Sequence, residues 1–213
     1  MIYRVNTTFA YDRMAILRRL RISDDAPAGK YAAKHFDQLV EIARENVEIT
    51  ALYTIRENDL DLGSGNAVKD GCEKLAVAFA SSTRRIMNVI IRLMDEGRFM
   101  DSYLLNELVN DVLFKASEQM NLEIEHRMAE EGLALTARIS PGEQGVDMKH
   151  QETLMGALKA ETELPATLTA GYMIDPEKSI MYAYGAGRGF AGVPVKHDCR
   201  TCTFTTCYYR DVT

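Results

Sequence analysis

Hydrophobic positions along the chain recur at two different spacings, and these spacings separate helices from strands. Apolar residues of "FAYDRMAILRRLRI" (9–22) and of the stretch 30–46 return every three or four positions, which predicts an opening pair of amphipathic helices. The next stretch, "VEITALYTI" (47–55), alternates and is rich in β-branched residues, which predicts a strand. Residues 1 to about 46 are therefore expected to form a helical part ahead of the sheet.

An apolar run at 75–80 leads directly into a strongly apolar helical pattern that ends at Gly97. Residues 81–83 supply candidate N-caps between the predicted strand and the predicted helix. Such a junction points free backbone N–H groups forward, where a carboxylate or phosphate can bind. Arg84 and Arg85 in the first turn either serve such an anion or are simply solvated.

The remaining pattern predicts one very long helix followed by strands. Apolar residues recur from 100 to 131 and stop at Gly132, so one long helix, or two with a kink, covers the face of a sheet. Beyond it, "LALTARI", "ATLTAGYMI" and "SIMYAYGAG" predict strands, and "HQETLMGALKAET" predicts a helix. Helices first and strands later, joined by short links, favour an α+β fold with a mainly antiparallel twisted sheet flanked by long helices.

Composition narrows the classes of partner. The chain has 213 residues, 46% of them hydrophobic, with a formal charge of -6 and a sequence pI of about 5.3. An acidic chain is poorly suited to nucleic acid, whose affinity rests on Lys and Arg. The opening residues lack the plan of a signal peptide and the apolar runs fall short of a membrane span. A cytoplasmic protein without a nucleic-acid or membrane partner is expected.

Three of the four cysteines cluster near the end of the chain, in the spacing Cys199-x2-Cys202-x4-Cys207. Three thiols this close can bind zinc or an iron–sulfur cluster, with His197 or Cys72 as fourth ligand, with an open fourth position, or with a ligand from a partner. Reduced or disulfide-forming structural thiols and a regulatory redox switch are the alternatives. The four histidines are scattered, so no catalytic acid–base pair is predicted.

The most specific information lies in residues 137–187. Arg-x-Ser-Pro-Gly at 138–142, a Gln-bearing helix, Thr-Leu-Thr at 167–169 and Met-x-x-Pro-x-Lys-Ser at 173–179 follow one another in a fixed order. This order resembles the activation domain of cobalamin-dependent methionine synthase and its free-standing relatives. The likeness is good from 138 to 180 and weaker but collinear over 9–131. It implies a domain of residues 1–187, followed by a Cys-rich extension at 188–213.

The resemblance also implies a ligand, S-adenosylmethionine, bound in a shallow groove beside the sheet. Arg138 matches the arginine expected to hold the methionine carboxylate, and Gly142 matches a glycine that lets backbone approach the ligand. The family carries Tyr at the next position, where this chain has Glu143, which can reach only the ribose hydroxyls or the ligand's ammonium group. The other implied ligand-binding residues are Ser140, Pro141, Tyr172, Lys178 and Ser179.

Two functions follow from these expectations. In the first, the protein is a stand-alone reactivation factor, which binds S-adenosylmethionine and supports reductive methylation of the cobalamin or corrinoid of a partner methyltransferase, with a flavodoxin or other reductase as electron source. In the second, methyl-donor binding is lost, and the chain is an accessory zinc or iron–sulfur protein that docks corrinoid methyltransferases. In both, the chain is a component of a methyltransferase system rather than a complete enzyme.

Overall fold

A computed structural model describes residues 1–63, 71–143 and 145–190, together with Thr206, Cys207 and Tyr209. No helix in these ranges is long and apolar enough to cross a membrane. The elements in chain order are β1 (Ile2–Arg4), α1 (Arg13–Arg19), α2 (Pro27–Asn46), β2 (Ile49–Glu57), β3 (Lys74–Ser82), α3 (Arg84–Asp95), α4 (Phe99–Glu130), β4 (Ala134–Leu135), α5 (His150–Lys159), β5 (Thr167–Leu168), β6 (Ile174–Asp175) and β7 (Ser179–Gly187), with a final 3-10 turn (Arg188–Phe190).

The main sheet has five strands in the order β1-β2-β3-β7-β4, and each neighbouring pair is antiparallel. Its centre is formed by β2, β3 and β7, which are nine residues long each. Strands β5 and β6 form a separate two-stranded hairpin. The predicted α+β class with a mainly antiparallel sheet is therefore confirmed.

Side chains of β3 alternate between two cores, as the pleat of a strand requires. Ala76, Ala78 and Ala80 face the long helix α4, whereas Val77 and Phe79 face α5 and the β5–β6 hairpin. The small alanines let α4 lie close to the sheet. The molecule is thus built as helix layer, sheet and a second layer made of α5 and the hairpin.

Helix α4 is one continuous helix of 32 residues that contacts both the other helices and the sheet. Its first half, with Leu104, Leu108 and Val112, packs with helices α1, α2 and α3. Its second half, with Met120 and Ile124, packs on the sheet. The apolar stripe predicted for 100–131 is therefore the element that joins the helical part to the sheet.

Three sequence-based boundaries were wrong. The predicted strand 133–139 is only Ala134–Leu135, because the chain then leaves the sheet edge and returns as a single bridge between Ile139 and Ala183. The predicted strand 166–174 is instead the β5–β6 hairpin, with a tight turn where Tyr172 has a φ of 62°. The first helix begins at Arg13 rather than at residue 9, because the Asp12 side chain accepts from Ala15 N and caps it there. The short strand β1 had no sequence-based prediction.

Candidate functional site

The segment that carries Arg138 runs along the open edge of β7. The Ile139 N–H donates to the Ala183 carbonyl at 2.9 Å, and the Ala183 N–H donates back at 2.9 Å. Ile139 packs in the core on the α5 side, so alternation turns Arg138 toward the α4 side of the sheet. Arg138 therefore lies at the edge of β7, on the face of the sheet that α4 covers.

Arg138 lies over a tyrosine and beside a glutamate. Its guanidinium carbon is 5.4 Å from the centre of the Tyr182 ring, within cation–π range. Its Nη2 is 3.5 Å from Oε2 of Glu143. Its Nε is buried and has no hydrogen-bond partner among the described residues. The guanidinium is therefore held in place, but not all of its N–H donors have hydrogen-bond acceptors. This arrangement is typical of an arginine that binds an anionic ligand.

A tight turn holds Arg138 and Glu143 next to each other. The Glu143 N–H donates to the Ser140 carbonyl at 3.0 Å, and the Gly142 N–H donates to Val146 at 2.8 Å. Gly142 has a φ of 89°, and a Cβ there would lie 2.5 Å from Sδ of Met148. Only glycine satisfies both conditions, so the turn that brings residues 138–143 together depends on Gly142.

Tyr182 lies beneath Arg138, and its ring meets that of Tyr184 edge-on at 5.7 Å. The Tyr182 hydroxyl donates to Oδ1 of Asn121 at 2.7 Å and is 2.8 Å from Oγ of Ser117. Burial raises the pKa of both phenols, that of Tyr184 to about 12. Both tyrosines are thus neutral, fixed packing residues under Arg138. Ser117 and Asn121 had no sequence-based role; the only signal was that each follows an apolar position of the α4 stripe.

The remaining residues of the expected ligand site lie apart from the Arg138 turn. Tyr172 sits at the tip of the β5–β6 hairpin, 37% exposed, and has no ring contact with that turn in the part of the chain described. Ser179 donates to the Pro176 carbonyl at 2.6 Å and bonds the Ser81 hydroxyl at 2.7 Å. Ser179 therefore holds the start of β7 in place.

Lys178 is buried in the helix layer without a carboxylate in ion-pair contact among the described residues. Its Nζ donates to Oδ1 of Asn106 at 2.6 Å and to Oδ1 of Asn110 at 2.7 Å, and the residue is 7% exposed. Burial lowers the pKa of its ammonium group. Lys178 directly precedes β7, and its hydrogen bonds connect this end of the strand to α4. Gly187 lies at the other end of β7.

The described end of the C-terminal extension rests on α4. The Tyr209 hydroxyl accepts from Nδ2 of Asn110 at 2.7 Å, and its ring meets Phe114 edge-on at 5.1 Å. Cys207 and Cys72 are half-buried free thiols, and burial raises the pKa of Cys72. His197, Cys199 and Cys202 lie outside the described residues. Within the described ranges no three potential metal ligands come together, so the metal site stays a prediction.

The first turn of α3 borders a cavity of about 340 Å³ at the end of β3. Its arginines already have partners: Arg84 pairs with Asp175, and Nε of Arg85 donates to Oδ1 of Asn46 at 3.0 Å. The Thr83 side chain makes no capping hydrogen bond to α3. We therefore assign no anionic ligand to the N-terminus of α3.

Comparisons with known proteins give one informative result. No family model matches the chain, and no curated protein matches it by sequence. Among solved structures, the MetH reactivation domain bound to AdoHcy is similar, with a TM-score of 0.65 and 9% identity over 93% of this chain and 82% of that chain. An identity this low supports the architecture alone. The protein therefore has the fold of the MetH reactivation domain, as the motif order at 138–180 predicts.

Proposed function

We propose that the protein is a stand-alone reactivation factor that binds S-adenosylmethionine and supports reductive methylation of the corrinoid of a partner methyltransferase in the cytoplasm. The observation that carries the proposal is Arg138: a guanidinium held over Tyr182, with a buried Nε that lacks a partner among the residues that the structure describes. A fold whose solved example binds AdoHcy supports the same choice of ligand.

The residues present fit the amino-acid end of such a ligand. A guanidinium binds a carboxylate through two parallel hydrogen bonds, and Gly142 lets the backbone of its turn come close. Ser140 and Pro141 shape that turn, and the exposed ring of Tyr172 is our candidate for a contact with the adenosine. We assign structural roles at the start of β7 to Lys178 and Ser179, because their polar atoms are already bonded.

Methyl transfer from S-adenosylmethionine to a reduced corrinoid requires little catalytic chemistry from the protein. A sulfonium is already a strong methyl donor and a reduced corrinoid a strong nucleophile, so the protein needs to bind and align them rather than act as acid or base. The described residues around Arg138 are consistent with this, since Tyr182 and Tyr184 are buried with raised pKa values. The corrinoid belongs to the partner, and its electron comes from a flavodoxin or other reductase.

The test is calorimetric titration of S-adenosylmethionine and S-adenosylhomocysteine into anaerobically purified protein. Loss of a charge-assisted pair costs about 1.5–3 kcal/mol, so Arg138→Ala should weaken binding by about 10- to 100-fold. Arg92→Ala is the matched control, because Arg92 is 67% exposed on α3 and pairs with Glu96 of its own helix end. If the unmodified protein binds neither ligand, the proposal is wrong.

A second function is favoured by the anchoring of the C-terminal extension on α4. Tyr209 packs on Phe114 and bonds Asn110, so this residue of the Cys-rich extension is held against α4. A zinc or iron–sulfur centre on Cys199, Cys202 and Cys207 would serve electron transfer or the docking of a corrinoid methyltransferase. Iron and zinc assays on anaerobic protein, with Cys202→Ser as the variant, test this function. Metal content equal in both proteins would exclude it.

A further inference from the structure

A second apolar stripe runs along α3, next to the face that this helix buries in the helix layer. Met87, Ile91 and Met94 follow one another at spacings of four and three residues, so they line one side of the helix. Ile91 is 52% exposed and Met94 is 53% exposed. The core of the protein therefore does not account for this stripe.

The stripe borders an open apolar groove of about 680 Å³ between α3 and the start of α4. Phe99, the first residue of α4, lines the groove and is 66% exposed. A large side chain presents about 150–250 Å², so Ile91, Met94 and Phe99 together expose on the order of 300 Å² of apolar surface. A contiguous apolar patch of this size, rimmed by charged residues, is typical of a protein interaction surface.

The two ends of the stripe carry opposite charges. Arg84, Ile91 and Asp95 are spaced seven and four residues apart, so they share one side of α3. A basic residue at the N-terminus and an acidic residue at the C-terminus both oppose the helix dipole, so this order of charges does not stabilise α3 by itself. Asp95 is exposed and forms no ion pair within the described ranges. Arg84 pairs with Asp175, yet its side chain remains 66% exposed.

We propose that this side of α3 pairs with the same side of α3 in a second copy of the chain, with the two helices antiparallel about a two-fold axis. In an antiparallel pair, the first residue of the stripe on one helix lies beside the last residue of the stripe on the other. Arg84 of each copy then faces Asp95 of the other copy, and the apolar residues between them meet around Ile91. The charge order that is unfavourable in a single α3 is favourable in the pair.

The exposed surface is sufficient for such a dimer. Two copies contribute about 600 Å² of apolar surface, which is roughly half of an interface of about 1,200 Å², the lower limit for specific, stable complexes. Ordinary interfaces have a similar apolar share, and the charged rim of α3 provides the remainder. An interface of this small size predicts a dissociation constant in the micromolar range.

Sedimentation equilibrium of the full chain, over a concentration series that spans the micromolar range, tests the dimer. The mass should rise from 23.9 kDa toward twice that value. Ile91→Glu places a charge from each copy at the centre of the interface and should raise the dissociation constant at least about 30-fold. Leu122→Glu is the matched control, because Leu122 is 64% exposed on the second half of α4, and it should change the constant by less than about 2-fold.

A mixing experiment tests the antiparallel arrangement. Arg84→Glu alone brings two carboxylates together at each contact, and Asp95→Arg alone brings two guanidinium groups together. Each variant should therefore dimerise at least about 10-fold more weakly than the unmodified protein. When the two variants are mixed, the heterodimer has opposite charges at both contacts, so it should form with the unmodified affinity within about 3-fold.

Three results would overturn the inference. If the unmodified chain stays monomeric throughout the series, the groove belongs to a helix of another protein or to an apolar small molecule. If Ile91→Glu leaves a dimer intact, the interface between the copies lies elsewhere. If both charge variants are weakened and the mixture does not recover, the two α3 helices are not antiparallel.

Discussion

The phenol of Tyr182 is held by two side chains of α4, and this makes its hydroxyl a sensitive test of the packing beneath Arg138. Tyr182→Phe keeps the ring beneath Arg138 and removes only the oxygen, which bonds Asn121 at 2.7 Å and Ser117 at 2.8 Å. Tyr182 is 1% exposed and Ser117 is 4% exposed. Water therefore has little access to the polar groups left behind.

The expected loss follows from these contacts. A hydrogen bond contributes about 0.5–1.5 kcal/mol net, and a buried polar group without a partner costs about 1–3 kcal/mol. Two bonds are lost, and the Asn121 amide is only partly buried, so we expect the free energy of unfolding to fall by about 2–3 kcal/mol. In a chain of this length, such a loss lowers Tm by roughly 4–12 °C.

Urea unfolding followed by circular dichroism measures this loss. Tyr172→Phe is the control and should change the free energy of unfolding by less than about 0.5 kcal/mol, because Tyr172 is exposed at a hairpin tip. The double variant Ser117→Ala/Tyr182→Phe should be hardly less stable than Tyr182→Phe, since the Ser117 hydroxyl has by then lost its partner. A Tyr182→Phe effect no larger than the control would refute the reasoning.

Three further predictions concern pH, the turn and the extension. Burial raises the pKa of Tyr184 to about 12, whereas an unfolded tyrosine loses its proton near pH 10, so between these values the unfolded state binds fewer protons and this one residue lowers stability by about 1.4 kcal/mol per pH unit, in addition to the contributions of Tyr53 and Tyr209. Tyr184→Phe should flatten this fall in urea titrations at several alkaline pH values, and an unchanged slope would contradict the assignment. Gly142→Ala should lose S-adenosylmethionine binding, because its Cβ would clash with Met148. Gly145→Ala is the control: Gly145 also has a positive φ, of 81°, but no described atom lies within 4 Å of the added Cβ, so binding should be retained within about 3-fold. Equal losses of affinity in calorimetry would show that the Met148 clash is irrelevant. If Cys207 is a metal ligand, Cys207→Ser should lower the bound iron or zinc measured by elemental assay, and a full metal content would remove it from the ligand set.

The periodicity of the chain was sufficient for the main elements. Alternation at 47–55 and the apolar run at 75–80 predicted β2 and β3, and the stripe at 100–131 predicted α4 almost to its ends. These segments are long, and each buries one face, so its apolar residues recur at the spacing of a helix or a strand. The fold class followed from their order, and the motif order at 138–180 predicted the family of folds that the structural comparison supports.

The short elements were decided by tertiary contacts instead. Strands β4, β5 and β6 have two residues each, too few for a pattern to distinguish them from loops. Strand β1 forms because it pairs with the otherwise open edge of β2. The sequence of residues 2–4 contains no local pattern that predicts this pairing.

The candidate site shows the same division between sequence and structure. The sequence by itself determined that Arg138, Gly142 and Glu143 share one turn, because they are neighbours in the chain. Only the tertiary structure decided that Tyr182 lies beneath Arg138 and that Ser117 and Asn121 hold it. It also decided that Lys178 is bound by asparagines of α4. Such partners lie far apart in sequence, and their meeting depends on how β7 and α4 pack, which a one-dimensional pattern does not contain.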